Sequence, residues 1–202
     1  MILSRHPSTV LSAINESTKW TISSASILFL FLKHDASVMW CLLGSLTSLL
    51  INKALKLLIN DRRPAYARKS DPGMPSTHSN GLGFLATYIC ISLCLSQQAE
   101  APALWPPSIL ASMALVLSAF LAWLRVALGY HTYPQMVVGY LVGSVTAAAW
   151  HNWGAAYVLQ ALEMSPLLYR FLLGLTWASG AVFAFKALLP ILKEFLRKKS
   201  VA

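Results

Sequence analysis

The chain has 202 residues, of which 56% are hydrophobic and only 11% are charged. This composition excludes an ordinary soluble globular domain and is typical of a protein that lies mostly in lipid. The formal net charge is +9 at pH 7, but the basic residues border apolar stretches and do not alternate with aromatic residues on a soluble face. Nucleic-acid binding is therefore set aside.

Six apolar stretches follow one another along the chain. We predict that each forms a membrane-spanning helix, with polar residues of the shorter stretches at interface depth or facing other helices. The predicted spans are residues 20–32, 36–51, 82–95, 109–124, 136–150 and 167–189. The predicted fold is all-α: a single polytopic membrane domain over residues 1–202, a bundle of about six transmembrane helices with a motif-bearing core at residues 53–140.

The first stretch also has the length of a secretory signal. Its flanks favour an uncleaved span, because Lys19 precedes it, Lys33-His34-Asp35 follows it, and no small-residue cleavage site is evident between them.

Three short polar blocks interrupt the apolar chain. They are Lys56 to Arg63-Pro64, then Pro75-Ser76-Thr77-His78, and then Arg125 through His131 to Gln135. Six spans would bring all three blocks out on the same side of the bilayer. Taken singly, they read as a basic turn, a helix start and an interfacial histidine. Together on one face, they predict a functional site.

The side chains of the blocks suit phosphoryl transfer. Two histidines can attack phosphorus and protonate a leaving oxygen. One lysine and two arginines can hold the charge of the transferring group. The residues therefore predict a membrane-embedded phosphatase.

The same blocks resemble a known family. The spacings Lys56-x6-Arg63-Pro64 and Arg125-x5-His131-x3-Gln135, with the block Pro75-Ser76-Thr77-His78 between them, resemble the three signature motifs of the type 2 phosphatidic acid phosphatase (PAP2) superfamily. The sequences of these motifs look most like those of the dolichyl-diphosphatase branch, and chloroplast-type lipid phosphate phosphatases share much of them. The resemblance implies a PAP2/haloperoxidase-like helical core. Three residues depart from the family pattern: Thr77 replaces Gly, Leu124 replaces Ser, and Gln135 replaces Asp.

The resemblance also implies residue roles. His131 would be the nucleophile that forms a phosphohistidine, His78 the general acid, and Gln135 the partner of the nucleophilic imidazole. The implied phosphate-binding residues are Lys56, Arg63, Ser76, Thr77 and Arg125. Because a Gln carbonyl accepts an N–H bond without a full negative charge, we hypothesise that Gln135 suits a diphosphate, whose phosphate leaving group is a good one. Alternatively, Gln135 only caps or packs at a span start.

The predicted reaction is hydrolysis of a polyprenyl (dolichyl-type) diphosphate to the monophosphate and inorganic phosphate. A lipid monophosphate phosphatase and a catalytically silent lipid-phosphate-binding protein stay open as alternatives. A transporter fits less well, because the charges cluster at one surface.

No cofactor and no metal is predicted. A two-metal site requires clustered carboxylates and histidines, and Asp61 and Asp71 are the only acids near the blocks. We expect both to pair with neighbouring basic residues or to lie in solvent.

The predicted partners are the membrane and a lipid phosphate or diphosphate within it. The resemblance implies the endoplasmic reticulum and recycling of the glycan carrier lipid in N-glycosylation, with a chloroplast or other organelle membrane as the alternative. The positive-inside rule places the site on the cytosolic side, whereas the dolichyl-diphosphatase resemblance implies the lumenal side. The face stays open.

Overall fold

A computed structural model describes residues 10–18, 21, 35–64, 71–95 and 105–199. Every regular element in these ranges is helical, which confirms the predicted all-α class. Residues 10–18 form an N-terminal helical segment. The numbered helices are α1 (Ala36–Ile59), α2 (Thr77–Leu95), α3 (Pro107–Ala127), α4 (Tyr133–Trp153), α5 (Leu159–Met164) and α6 (Pro166–Lys199), with a π-helical turn, Gly154–Val158, between α4 and α5.

The described ranges do not confirm the predicted number of six spans. Within the described ranges, three helices, α1 to α3, are each long and apolar enough to cross a bilayer. Tyr133–Met164 and Pro166–Val182 meet these criteria only together, and they are bent by 116°. The bend lies at Ser165, which is extended (φ −130°, ψ 100°) because the residue before a proline disfavours the helical conformation. The first predicted stretch, residues 20–32, lies outside the described residues except for Thr21.

Close packing of α2 on α4 forms the centre of the bundle. A Cβ atom added at Gly83 would meet the carbonyl oxygen of Tyr140, and one added at Gly143 would meet that of Asn80. Small residues of this kind let two helix backbones approach closely in a membrane protein. The start of α2 is thereby held against the start of α4, where the second and third polar blocks lie.

Buried amides connect α1 to α2. Asn80 Nδ2 donates to Ser48 Oγ at 2.9 Å, and Asn52 Nδ2 donates to Thr77 Oγ1 at 3.0 Å. Such side-chain bonds between helices satisfy polar groups that lipid cannot hydrogen-bond. They bring the C-terminal half of α1, which carries Lys56, to the start of α2.

Aromatic residues hold the opposite end of the α1–α4 pair. Trp40 and Trp150 stack with ring centroids 4.4 Å apart. Each indole N–H donates to the other residue's carbonyl oxygen, at 3.1 Å from Trp40 and 2.9 Å from Trp150. Gly154 leaves room for this pair, since a Cβ atom there would meet the Trp40 ring.

Candidate active site

The first polar block leaves α1 through a sharp turn. Asn60 ends the helix in the left-handed conformation (φ 45°, ψ 37°), and its N–H donates to the Lys56 carbonyl oxygen. Asparagine adopts this conformation more readily than most residues. The turn lets Arg63 contact the segment between α3 and α4.

Arg63 joins the first block to the third. Its Nη1 donates to the Tyr130 carbonyl oxygen at 3.1 Å and lies 3.1 Å from His131 Nε2. Its Nε donates to the Asp71 carbonyl oxygen at 2.9 Å. One guanidinium therefore contacts the predicted nucleophile and the loop that precedes α2.

Asp71 shows that two of the predicted phosphate ligands reach a common anion. Its Oδ2 accepts from Lys56 Nζ at 3.0 Å and from Arg63 Nη2 at 2.9 Å. Burial raises the pKa of the Asp71 carboxyl, but the hydrogen bonds and charges of Lys56 and Arg63 outweigh burial and lower the pKa to about 2. The expectation that Asp71 pairs with basic residues is confirmed.

The hydrogen bonds of Gln135 determine which end of its amide faces His131. The Thr132 backbone N–H, which can only donate, lies 3.2 Å from Oε1. On the other side, Nε2 donates to Asp61 Oδ2 at 2.7 Å and to the Arg62 carbonyl oxygen at 2.9 Å. A carbonyl oxygen can only accept, and so can the oxygen of an ionised carboxyl. The amide oxygen therefore faces the histidine.

This orientation assigns the tautomer of His131. Its Nδ1 lies 3.2 Å from Gln135 Oε1, so Nδ1 must carry the proton, and the lone pair is on Nε2, beside Arg63. His131 is 3% exposed. Burial, followed by the charges of Arg63 and Arg125, lowers its pKa to about 3. The imidazole is therefore neutral near pH 7, with its nucleophilic nitrogen facing the cations.

Gln135 both caps a helix and contacts His131 in the described structure. Its side chain and that of Thr132 form a capping box at the start of α4. The same amide oxygen also faces the His131 imidazole. Whether the neutral amide weakens the nucleophile stays a prediction.

The second block begins α2, as the sequence predicts for a helix start. Ser76 is fully buried, and its hydroxyl oxygen accepts from the Ser79 N–H at 3.4 Å. The Ser76 N–H donates to the Gln135 carbonyl oxygen at 3.0 Å, which joins the second block to the third. Thr77 Oγ1 accepts from Asn52. The first N–H groups of a helix lack intrahelical partners and favour anions, but the phosphate-binding roles of Ser76 and Thr77 stay predictions.

Arg125 and His78 each retain a buried polar atom that has no hydrogen-bond partner within the described ranges. These atoms are Arg125 Nε and His78 Nε2. Arg125 is otherwise held by the N-terminal helical segment, where Nη1 donates to Asn15 Oδ1 at 2.9 Å, and by Tyr130, whose ring centroid lies 4.2 Å from the guanidinium carbon. An unsatisfied buried group costs about 1–3 kcal/mol, and a bound phosphoryl oxygen is the kind of partner that would remove this cost.

Three partners of the site residues are absent from the sequence prediction. Asn15 and Tyr130 hold Arg125, and nothing in their sequence neighbourhood indicates it. Asp61 accepts from the Gln135 amide, whereas the sequence favoured a basic partner or solvent. No local pattern reveals this contact, because residues 61 and 135 meet only in the fold.

Sequence comparison agrees with the motifs. A family model described as the PAP2 superfamily matches residues 37–158. Lipid phosphate phosphatase epsilon 2, chloroplastic, of Arabidopsis thaliana is 31% identical over 180 residues, which are 89% of this chain and 62% of that protein. Dolichyldiphosphatase 1 of Dictyostelium discoideum is 29% identical over 134 residues, which are 65% of this chain and 58% of that protein. The chain thus spans less than two thirds of the length of these relatives.

Structural comparison supports the fold. A crystal structure described as the first transmembrane PAP2 type phosphatidylglycerolphosphate phosphatase, from Bacillus subtilis, superposes with a TM-score of 0.63 at 21% identity and covers 77% of this chain and 81% of that chain. The apolar helices and the membrane phosphatase relatives together indicate an integral membrane protein. Because the family model covers more than half of its residues, this chain belongs to the PAP2 superfamily.

Proposed function

We propose that this protein is a lipid phosphatase that transfers the terminal phosphoryl group of a polyprenyl diphosphate, of the dolichyl type, to His131 and then to water. One observation carries the proposal. Lys56 and Arg63 bind the same anionic oxygen, while the second terminal nitrogen of Arg63 lies 3.1 Å from His131 Nε2. A phosphoryl oxygen bound in place of the Asp71 carboxylate would therefore bring its phosphorus close to the nucleophile.

The first step forms a phosphohistidine. The Nε2 lone pair of His131 attacks phosphorus, the bond between phosphorus and the leaving oxygen breaks, and His78 gives a proton to that oxygen. The imidazole becomes positively charged while its Nδ1–H stays bonded to Gln135 Oε1. The lipid monophosphate then leaves.

The second step regenerates the enzyme. His78, now neutral, takes a proton from a water molecule, whose oxygen attacks phosphorus as the phosphorus–Nε2 bond breaks. Inorganic phosphate departs and His131 returns to its neutral form. In both steps Lys56, Arg63 and Arg125 stabilise the charge on the phosphoryl oxygens. Arg125 Nε, which has no hydrogen-bond partner in the part of the chain that the structure describes, is available for such a bond.

The surroundings of the site support an amphiphilic substrate. Leu57 and Leu58, next to Lys56, are 78% and 80% exposed, as expected of side chains that face lipid in a membrane helix. A lipid tail can remain in the bilayer while its headgroup reaches the cations. The neutral Gln135 amide in place of a carboxylate favours a diphosphate, because a phosphate monoester leaves more easily than an alkoxide.

Hydrolysis of a lipid monophosphate, of the phosphatidate type, is the second candidate. It is favoured by the coverage of the relatives, because the two chloroplastic lipid phosphate phosphatases match 89% and 77% of the chain, whereas dolichyldiphosphatase 1 of Mus musculus matches 59%. The same relatives support a chloroplast membrane as the alternative to the endoplasmic reticulum. A silent lipid-phosphate binder is the third candidate, and the assigned tautomer of His131 argues against it.

Phosphate release from a substrate panel tests the proposal. The panel contains dolichyl diphosphate, a shorter prenyl diphosphate and phosphatidate. It is assayed with wild type, His131→Ala, His78→Ala and the matched surface control Glu163→Gln. We expect the diphosphates to be preferred by wild type and the control, with both histidine variants inactive. Equal activity in wild type and the histidine variants would refute the assigned roles. Vanadate binding without phosphate release would favour the silent binder.

The chelator response tests whether the reaction needs a metal. We expect activity to be unchanged by EDTA, because imidazole and cationic side chains supply the nucleophile and the charge stabilisation. Loss of activity in EDTA that added Mg²⁺ restores would contradict this expectation.

A further inference from the structure

Three groups form a line of hydrogen bonds behind the nucleophile. His131 Nδ1 lies 3.2 Å from Gln135 Oε1, and Gln135 Nε2 donates to Asp61 Oδ2 at 2.7 Å. The second distance lies within the usual range for an N–H···O hydrogen bond. A carboxylate thus lies one amide away from the imidazole.

The amide between them is enclosed. Gln135 is 1% exposed, so bulk water cannot replace a lost partner. Gly73 lies directly against the amide, since a Cβ atom at Gly73 would be 2.5 Å from Gln135 Nε2. If the Asp61 carboxylate were removed, Nε2 would keep only the Arg62 carbonyl oxygen among its described acceptors.

The backbone of Asp61 is held separately from its side chain. The Gly73 N–H donates to the Asp61 carbonyl oxygen at 2.7 Å. A substitution of the side chain leaves this bond in place. The effect of the carboxylate can therefore be separated from the effect of the loop.

We propose that Asp61 is a positioning residue for His131: through the Gln135 amide, it supplies the negative charge that Gln135 itself lacks. A donor bonded to a carboxylate shifts electron density toward the other end of the amide, so Oε1 becomes a stronger acceptor. This holds the Nδ1–H tautomer and stabilises the positive imidazole of the phosphohistidine. The inference rests on the proposed function and deepens it.

Asp71 cannot serve this purpose in the described arrangement. Its carboxylate bonds to Lys56 and Arg63 on the opposite, Nε2, side of the imidazole. The two aspartates therefore have different roles: Asp71 lies where a phosphoryl oxygen would bind, and Asp61 lies behind the nucleophile.

Two substitutions at position 61 test the proposal. Asp61→Asn keeps the shape and removes the charge, Asp61→Glu keeps the charge, and Glu163→Gln is the control for loss of a surface carboxylate. With dolichyl diphosphate, we expect Asp61→Asn to lower kcat about tenfold to a hundredfold, the range found when a carboxylate that orients a metal-bound histidine is removed, with KM changed less than about threefold. Asp61→Glu should keep most of the wild-type kcat.

A purely structural role would give a different pattern. It would lower kcat equally in Asp61→Asn and Asp61→Glu, together with a lower unfolding temperature in detergent. That pattern, or an unchanged kcat in Asp61→Asn, overturns the proposal. Complete activity in His131→Ala would instead refute the proposed function itself, so the two failures are distinguishable.

A charge exchange gives the sharpest test. Gln135→Glu alone places two carboxylates side by side and should be impaired. Combined with Asp61→Asn, it restores one carboxylate and one amide with the charge moved next to His131, and we expect activity above that of either single variant. A double variant no more active than the weaker single one counts against the proposal.

The tautomer of His131 gives a readout independent of turnover. Nitrogen-15 NMR of histidine-labelled protein should show Nδ1–H in wild type and in Asp61→Glu. In Asp61→Asn, the fraction of His131 with its proton on Nε2 should increase, because the Gln135 amide can rotate once the carboxylate is gone. An unchanged tautomer ratio in Asp61→Asn would argue against a positioning role.

Discussion

The two ends of the α1–α4 pair are held together by different chemistry. At one end, Trp40 and Trp150 stack and exchange N–H···O bonds with each other's backbone. At the other end, the described contacts are polar. Lys56 and Arg63 both bond to Asp71, and Arg63 also contacts His131. The aromatic end satisfies both indole N–H groups within the protein. At the polar end, Arg125 Nε and His78 Nε2 have no hydrogen-bond partner among the described residues, and the same holds for His151 Nδ1, next to Trp150 in the sequence.

This difference separates stability from chemistry. Buried aromatic surface stabilises a helix pair whether or not a ligand is bound. Clustered cations and unpaired donors are unfavourable until an anion arrives, so they are expected to contribute to binding and rate more than to folding. Substitutions at the two ends should therefore have opposite effects on activity and stability.

The largest effect is expected at the polar end. His131→Ala removes the proposed nucleophile, so turnover of dolichyl diphosphate should fall on the order of 10⁴-fold or more, as for other covalent catalysts. The unfolding temperature in detergent should stay close to that of wild type. Phosphate release and thermal unfolding of the same preparation measure both quantities, and substantial residual turnover would place the nucleophile elsewhere.

A substitution at the aromatic end should lower stability and leave activity unchanged. Trp40→Ala removes the stacked ring and leaves the Trp150 carbonyl oxygen without its indole donor. We expect the free energy of unfolding to fall by about 3–5 kcal/mol, with kcat per folded molecule unchanged. Denaturant titration and active-site counting with vanadate separate the two quantities. A lower kcat at full folding would mean that the two ends are coupled through α1 or α4.

A smaller effect concerns the protonation of His131. The charge of Arg63 lowers the pKa of this imidazole, so Arg63→Gln should raise the pKa toward the usual histidine range. In wild type, the folded chain keeps His131 neutral as the pH falls, until the pH approaches about 3. An unfolded histidine binds a proton near pH 6.5. The contribution of His131 to the free energy of unfolding therefore decreases as the pH falls from about 6.5 to about 3.

Histidine NMR titration checks this prediction. Wild-type His131 should show no protonation between pH 8 and pH 5, whereas Arg63→Gln should begin to titrate at a higher pH. Lys53→Gln, on α1, is a control for loss of a cation that is not among the charges acting on His131. Equal pKa values in wild type and Arg63→Gln would show that the charge of Arg63 does not contribute to the lowered pKa of His131.

The smallest effect is expected at Asp71. Its side chain is 51% exposed, and exposed ion pairs contribute roughly 0–1 kcal/mol. Asp71→Asn removes the carboxylate that competes with substrate for Lys56 and Arg63, so KM should fall by about fivefold or less. A higher KM would show instead that the carboxylate positions the two cations.

The ion pairs of Asp71 with Lys56 and Arg63 also predict how stability changes in acid. Since folding lowers its pKa to about 2, Asp71 contributes stability that is fully present above the usual aspartate pKa and is lost as the pH falls toward 2. The difference in stability between wild type and Asp71→Asn should therefore shrink between about pH 4 and pH 2. Thermal unfolding over this range measures it.

Hydropathy located the helices better than it located their ends. The second predicted span, residues 36–51, is the first two thirds of α1 (Ala36–Ile59), and the third, residues 82–95, lacks the first turn of α2 (Thr77–Leu95). Both omitted parts carry polar residues, Lys56 and His78 among them. A hydropathy reading stops at such residues, whereas a helix continues through them when they face other helices.

The sequence predicted residues that the fold brings close together, but it did not predict the contacts between them. Residue types and spacing identified Lys56, Arg63, His131 and Gln135, and the fold brings these four together. The sequence also showed that Gln135 replaces the aspartate of the family pattern. Its partner Asp61 was not visible in the sequence, because their contact spans more than seventy positions and depends on how the loop after α1 packs against α4.

The amino-acid sequence alone determined the all-helical class, the membrane environment and the chemical groups of the candidate site, because apolar runs and residue types are local properties of the chain. Only the tertiary structure decided which nitrogen of His131 carries its proton, which anion Lys56 and Arg63 share, and which carboxylate lies behind Gln135. These depend on distances of about 3 Å between distant segments, and such distances exist only once the helices have packed.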